Sequence, residues 1–302
     1  MKARWRLPVM LLAVTALFWL LLDAREVRQA VGEGLALCTG SVIPALFPFL
    51  CVSSLLMALG FGELAAGPLG GLMALYGLDG PAASALLLGV VGGYPIGART
   101  AAELVERRLL TREEGERLLT FCNNSNPVFL ISVLGAGVFG NVRLGIWLWL
   151  IHVLSALLTG LLFRSGGSGQ RRCVTRKIPF RAVSLPSAVV TAVGRALSGM
   201  LSVCAFVVLF YVLASPLREL GGWLGALLVG TVELFSLTPL LPPTSAGFLL
   251  AAFCTGWGGL SVLCQTAAVL DGTDLSLRTA LLGKLLQGAF SALLASAIIL
   301  LF

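Results

Sequence analysis

The chain has 302 residues, of which 58% are hydrophobic and 12% charged, and its mean hydropathy is +0.97. A soluble domain carries about 25% charged residues, so this composition excludes an ordinary soluble fold and indicates a polytopic membrane protein. The net charge of +7 is concentrated at the N-terminus and in the stretch 164–181, a distribution that serves membrane topology and argues against a nucleic-acid interface.

In chain order, the first apolar run is 7–22, behind Lys2, Arg4 and Arg6. It lacks a small-x-small cleavage site after Leu22, so it reads as an uncleaved span anchored by Trp5 and Trp19. A second span is expected over 35–59. The segment 81–110 is too broken by Gly and Pro for a crossing that needs about 20 apolar residues, and it reads as a re-entrant hairpin. Its turn is Gly92-Gly93-Tyr94-Pro95-Ile96-Gly97-Ala98-Arg99. Pro95 stops one helix, and from Gly97 a new helix presents its N-terminal amides to the turn, which suits an anion or a polar carbonyl. Tyr94 either stacks on a ring or fills space. Arg99 and Glu103 are spaced to pair on one helical face.

The next span, 115–140, is interrupted by Asn123-Asn124-Ser125-Asn126-Pro127. Such polar groups at membrane depth require buried partners or a water-filled cavity. The asparagine amides suit nucleobase, ribose or peptide-like groups, and they equally suit their own broken helix. A span over 143–163 carries His152, the single histidine, read as a packed neutral ring. The stretch from Arg164 to Arg181 holds six Lys/Arg and no acid. The positive-inside rule then places the N-terminus and the 164–187 loop in the cytoplasm.

The second half offers a span at 188–214, a re-entrant hairpin at 222–250, a broken span at 251–270 and a last span at 279–301. Glu233 is an isolated carboxylate in the inbound arm of that hairpin, with no cation at i+3 or i+4. It is protonated, or it binds a coupling cation or a substrate donor. Ser236, Thr238, Thr244 and Ser245 surround Pro239, Pro242 and Pro243 at the expected tip. The second break, Cys254-Thr255-Gly256-Trp257-Gly258-Gly259, adds Thr255, Trp257 and Ser261 as candidate contacts, with Gln265 and Thr266 one turn on.

The halves repeat one order: span, hairpin, broken span, span. Gly40, Phe47 and Phe49 parallel Gly199, Phe206 and Val208. Leu88-Gly89-Val90-Val91 parallels Val229-Gly230-Thr231-Val232, and Phe121-Cys122 parallels Phe253-Cys254. An odd number of crossings per repeat makes the second inverted, an architecture of transporters. The expected fold is therefore all-α: an N-terminal helix and linker (1–34), a first repeat (35–163), a basic linker (164–187) and an inverted second repeat (188–302). The seven cysteines show neither disulfide nor metal spacing. No catalytic constellation, cofactor motif or metal site is found, and a coupling ion stays unidentified. The expected partners are the lipid bilayer and a small solute, with self-association through small-residue surfaces left open.

Gly93-Tyr94-Pro95-x-Gly97-Ala98 followed by Cys122-Asn123-Asn124-Ser125-Asn126-Pro127-x-Phe129 resembles the sporulation integral membrane protein YlbJ family, part of the wider Gate or nucleoside-recognition group. More distantly, Cys254 to Ser261 is similar to the second broken helix of concentrative nucleoside transporters, where an acidic hairpin residue is placed like Glu233. The resemblance implies a transporter-like fold and a role in sporulation, in cortex formation or forespore transport. The candidate substrate contacts, taken from the hairpin turns and the breaks, are Tyr94, Gly97, Asn123, Asn124, Ser125, Asn126, Glu233, Thr238, Thr255, Trp257 and Ser261. The second break lacks the asparagine that nucleoside transporters use there, which departs from ribose recognition. A non-transporting membrane scaffold is the rival reading.

Overall fold

A computed structural model describes residues 6–164 and 184–301, and every regular element among them is helical. Lys2, Arg4, Trp5 and the basic stretch 165–181 lie outside the described residues. Helix α1 (Arg6–Leu22) exposes Leu7, Leu12, Phe18 and Leu22, as a lipid-facing span does. The chain continues through α2 (Ala24–Leu37), a π turn (Cys38–Val42) and α3 (Ile43–Ala58) as one long rod. The rod therefore begins well before the expected 35–59, because 24–34 winds as an amphipathic extension of it. A helix absent from the sequence reading, α4 (Phe61–Leu75), follows; with Pro68 and several glycines it is too short to register as a span.

The first hairpin is α5 (Ala82–Gly92) and α6 (Ile96–Glu106). Next comes α7 (Arg112–Leu118), started by a capping box between Thr111 and Glu114. The chain leaves the helix over 119–126, re-enters it at 127, and winds as a π segment, Phe129–Val138, before α8 (Val142–Leu162). The second half runs α9 (Leu185–Arg218), α10 (Gly222–Val232), a single turn α11 (Leu234–Leu237), a 3-10 turn (Thr238–Leu240), α12 (Ser245–Trp257), α13 (Gly259–Leu270) and α14 (Leu277–Leu301).

The expected end of the second hairpin at 250 is corrected. Thr244 caps a new helix through the Gly247 N–H, and α12 runs unbroken past 250 to Trp257. The Arg99–Glu103 pair is corrected as well: Glu103 pairs with Arg107. A carboxylate placed four residues before a cation is the more favourable orientation on a helix.

Among the described residues, five helices are long and apolar enough to cross a membrane. The α12–α13 span is the central one, with 78% of its apolar window buried against 22–44% for the others. Around it α3 lies beside α9, and α8 beside α14. Two large apolar cores form. One gathers Leu46, Leu50, Phe129, Phe235 and Phe248, and the other Met73, Tyr76, Leu86, Phe121 and Leu270. The first break crosses between them, since Phe121 and Cys122 belong to one core and Phe129 and Leu130 to the other. On α8, Ile151 and Ala156 divide in the same way, as do Ala295 and Ala280 on α14. A polar layer fills the interval.

Candidate functional site

The layer begins with backbone geometry. The arms of the first hairpin close on the first break so tightly that a Cβ on either Gly89 or Gly97 would overlap the Cys122 carbonyl. These positions take glycine because another backbone occupies the side-chain space. Gly97 is thus a packing contact, and the break is pressed against the start of α6.

The asparagines satisfy what the broken chain leaves open. Asn123 Oδ1 accepts the Ala98 N–H (3.4 Å), one of the amides without an intrahelical partner at the start of α6. Its Nδ2 donates to Thr266 Oγ1 on α13 (2.9 Å). Asn124 Nδ2 donates to the Phe121 carbonyl (2.8 Å), and its Oδ1 accepts from Gln287 Nε2 (3.0 Å). Asn126 Oδ1 accepts from the Val128 N–H (2.7 Å), while its Nδ2 donates to the Gly92 carbonyl at the end of α5 (3.3 Å). Ser125 differs. Its N–H donates to His152 Nε2 (3.0 Å), but its buried hydroxyl, beside the Tyr94 phenol, makes no well-formed hydrogen bond. Since His152 Nε2 accepts, its proton sits on Nδ1, and the ring is a buried neutral partner of the break.

Two facing helices supply the rest. His152, Ser155 and Thr159 on α8, and Lys284, Gln287 and Ser291 on α14, follow the i, i+3, i+7 spacing that puts side chains on one face. The two rows meet at the Ser155–Ser291 hydrogen bond (2.8 Å). Lys284 is 2% exposed. Its Nζ donates to Gln287 Oε1 (2.7 Å) and to the Tyr94 hydroxyl (3.2 Å), and it lies 5.0 Å from the Tyr94 ring centroid. Among the described residues no carboxylate forms an ion pair with it. The Tyr94 hydroxyl in turn donates to the Thr255 carbonyl (3.4 Å). Lys284, Tyr94, Gln287 and Asn124 therefore tie the hairpin turn, the first break and α14 into one network.

A small, half-enclosed cavity adjoins this network, lined by Tyr94, Ser125 and Asn126, by Gln265 of α13, and by Leu234 and Phe235 of the second hairpin. The structure thus gathers Tyr94, Ser125 and Asn126 around one space and brings Thr255 to it through its carbonyl. The other candidates lie around it. Trp257 Nε1 donates to the Thr231 carbonyl (2.9 Å), and Ser261 Oγ accepts from Gln265 Nε2 (3.3 Å). The Thr255 hydroxyl bonds back to Ala251 of its own helix (2.7 Å). Glu233 caps the turn beyond Leu234, and Thr238 follows it. Lys284 and Gln287 were missing from the sequence reading. The signal for Lys284 was the one used for Glu233, a lone charge inside an apolar run.

Compared with known proteins, residues 39–164 match the family model Gate, described as nucleoside recognition. The matched segment runs from the π turn to just past α8. The chain is 29% identical over 307 aligned positions to the sporulation integral membrane protein YlbJ of Bacillus subtilis (strain 168), covering 87% of this chain and 75% of that protein. No solved structure matches it. The chain is a multi-pass, YlbJ-like integral membrane protein with a Gate region in its first half.

Proposed function

We propose that this YlbJ-like membrane protein is a transporter for a small polar solute held between the two hairpins, and that the solute presents an acceptor or anionic group to Lys284 and Tyr94. The carrying observation is the buried lysine. Desolvating an unpaired ammonium costs several kcal/mol, and charges kept inside a membrane bundle mark substrate or ion pathways. Lys284 also sits where the hairpin turn, the first break and α14 converge. The cavity beside it leaves room for water-sized groups, so a larger solute requires the hairpins to part. Nucleoside is one candidate through the Gate description. In this conformation the amides of Asn123, Asn124 and Asn126 are engaged by the protein, so recognition starts at the Ser125 hydroxyl, which lacks a well-formed hydrogen bond, and at Lys284, whose neutral partners Gln287 and Tyr94 an acceptor or anionic group would displace.

Two oppositely oriented halves moving against each other supply the mechanism. The helices that the repeat would make equivalent are neighbours, α3 with α9 and α8 with α14, which supports an axis between the halves. Similarity to a sporulation membrane protein supports a role in sporulation, and the process we propose it serves is cortex formation. The basic N-terminus and the 164–187 loop would lie in the cytoplasm.

Membrane vesicles bearing the wild type or Lys284→Met, incubated with a small-molecule extract of sporulating cells, test this by mass spectrometry of the lumen. At least one polar compound should accumulate with the wild type and fall about tenfold or more with the variant, a loss of about 1.4 kcal/mol of binding. If wild-type vesicles match vesicles without the protein, at equal amounts of folded chain, transport is refuted and the scaffold reading stands.

A further inference from the structure

A second cleft, half open, lies between the first hairpin and α9. Leu50 and Ser54 of α3, Arg99 of α6, and Arg195, Ala196 and Gly199 of α9 line it, and Leu50 also lines the cavity beside Lys284. Leu50 and Ala196 are buried, while a Cβ on Gly199 would meet no atom within 4 Å, so the cleft stays open beside that glycine. Both arginines are exposed, and among the described residues neither forms an ion pair. Glu103 lines the same cleft, but its carboxylate is taken by Arg107. Each guanidinium carries five N–H donors and no acceptor, and Ser54 adds a half-buried hydroxyl. The surroundings are apolar. Val190, Val193, Leu197 and Leu201, on both sides of Arg195 along α9, are 45–73% exposed, as side chains in contact with lipid are. Arg195 stands ten residues inside that helix, about 15 Å along its axis. A guanidinium so placed needs an anionic or aqueous partner.

We infer that this cleft binds the headgroup phosphate of an anionic phospholipid, held between Arg99 and Arg195. Guanidinium forks match phosphate oxygens two at a time, and basic pockets between transmembrane helices take lipid headgroups. A lipid suits the place better than a free anion, because the exposed valines and leucines of α9 flank Arg195 with a surface for an acyl chain. A zwitterionic headgroup fits less well: it brings its own cation, and the carboxylate in the cleft is already paired. Helix α9 begins just after the basic 164–187 linker, so the lipid belongs to the leaflet that the positive-inside rule turns to the cytoplasm. Its position gives the lipid a consequence. Arg99 follows the Tyr94–Pro95 turn, so a phosphate bridging to Arg195 ties the first hairpin to α9. The site does not rest on the transport reading.

Native mass spectrometry of the purified full chain tests the site, in detergent micelles holding equal amounts of phosphatidylglycerol and phosphatidylcholine. The wild type should retain phosphatidylglycerol in preference by about tenfold or more, and Arg99→Gln or Arg195→Gln should each cut that preference about fivefold. The double variant should abolish it. The preference is a ratio between two lipids on the same folded chain, so a variant that is merely less stable does not move it. Arg143→Gln/Arg278→Gln removes the same charge from two exposed positions elsewhere and should keep the wild-type ratio. Excess inorganic phosphate at constant ionic strength should not displace the lipid. Equal retention of both lipids by the wild type, a preference kept by the Arg99/Arg195 double variant, or an equal loss in the Arg143/Arg278 pair overturns the inference. Displacement by inorganic phosphate also overturns it, in favour of a soluble anion. The preference should persist in Lys284→Met if transport fails, and its own failure leaves the vesicle experiment unaffected.

Discussion

The two interrupted spans meet the same difficulty by opposite means. In the first, residues 119–126 leave the helix altogether, and three asparagine side chains take over the open backbone groups of the break and of the hairpin pressed against it. In the second, Gly258 and Gly259 take φ of 87° and 86°, and the Gly258 N–H still reaches the Cys254 carbonyl at 2.8 Å, so α12 and α13 are parted by a kink. Side-chain amides replace lost helical bonds in one, and backbone freedom avoids losing them in the other. Polarity at a break is therefore not by itself a sign of ligand contact. What the protein leaves unmet stands beside the first break: the Ser125 hydroxyl lacks a well-formed hydrogen bond, and among the described residues no carboxylate forms an ion pair with Lys284.

The largest effect should come from the packing that seats the first break. In Gly89→Ala the new methyl meets the Cys122 carbonyl, a backbone atom that cannot rotate away. Overpacking of this kind costs about 3 kcal/mol, so the variant should be recovered largely misfolded. SDS-induced unfolding, followed through tryptophan fluorescence, measures it. A wild-type unfolding curve would show that the break is not held where the structure places it.

Next is the amide that joins the halves. Asn123→Leu keeps a similar volume and leaves the Ala98 N–H without its acceptor and Thr266 without its donor. A buried orphan donor costs about 2 kcal/mol. If Asn123→Leu unfolds like the wild type while solute flux disappears, the asparagine serves the ligand and the contrast between the breaks fails.

Punctuation and periodicity in the sequence account for what could be read from it. Gly92-Gly93 and Pro95 end one helix and begin another, and α5 and α6 follow within the expected 81–110. The asparagine run and Pro127 marked the first break for the same reason. The second hairpin was harder, because Pro239, Pro242 and Pro243 mark a tip while nothing local marks 250, through which α12 continues. Lys284 was hidden by averaging: its span keeps a mean hydropathy of 1.6 with the lysine included. The row Lys284, Gln287, Ser291 was present at helical spacing, but only the placement of α8 opposite gives it partners. Likewise, sequence alone could not tell whether an asparagine amide would face a solute or its own chain, since that depends on which backbone arrives beside it.

A smaller effect should mark the second break. Gly258→Ala puts a Cβ on a left-handed residue, at about 1–2 kcal/mol, with the Tyr94 hydroxyl 3.0 Å from the new atom. The same unfolding assay reads the cost. The variant should also loosen the Tyr94 turn, which limited proteolysis would report as faster cleavage at the first hairpin. A neutral result would mean that the kink tolerates side chains and that glycine serves another purpose there.

Thr255→Val should do least, and its smallness separates the two kinds of break most cleanly. The hydroxyl bonds back to the Ala251 and Ala252 carbonyls of α12, while the group that meets Tyr94 is the backbone carbonyl, which substitution preserves. Valine keeps the branched shape, so the loss is confined to a bond worth about 1 kcal/mol or less. Flux in vesicles should stay within about threefold of wild type, since 1.4 kcal/mol is needed for a factor of ten. A tenfold or greater loss of flux at unchanged stability would show that α12 unwinds around Thr255 during the cycle and exposes its hydroxyl to the solute. The second break would then become a working counterpart of the first.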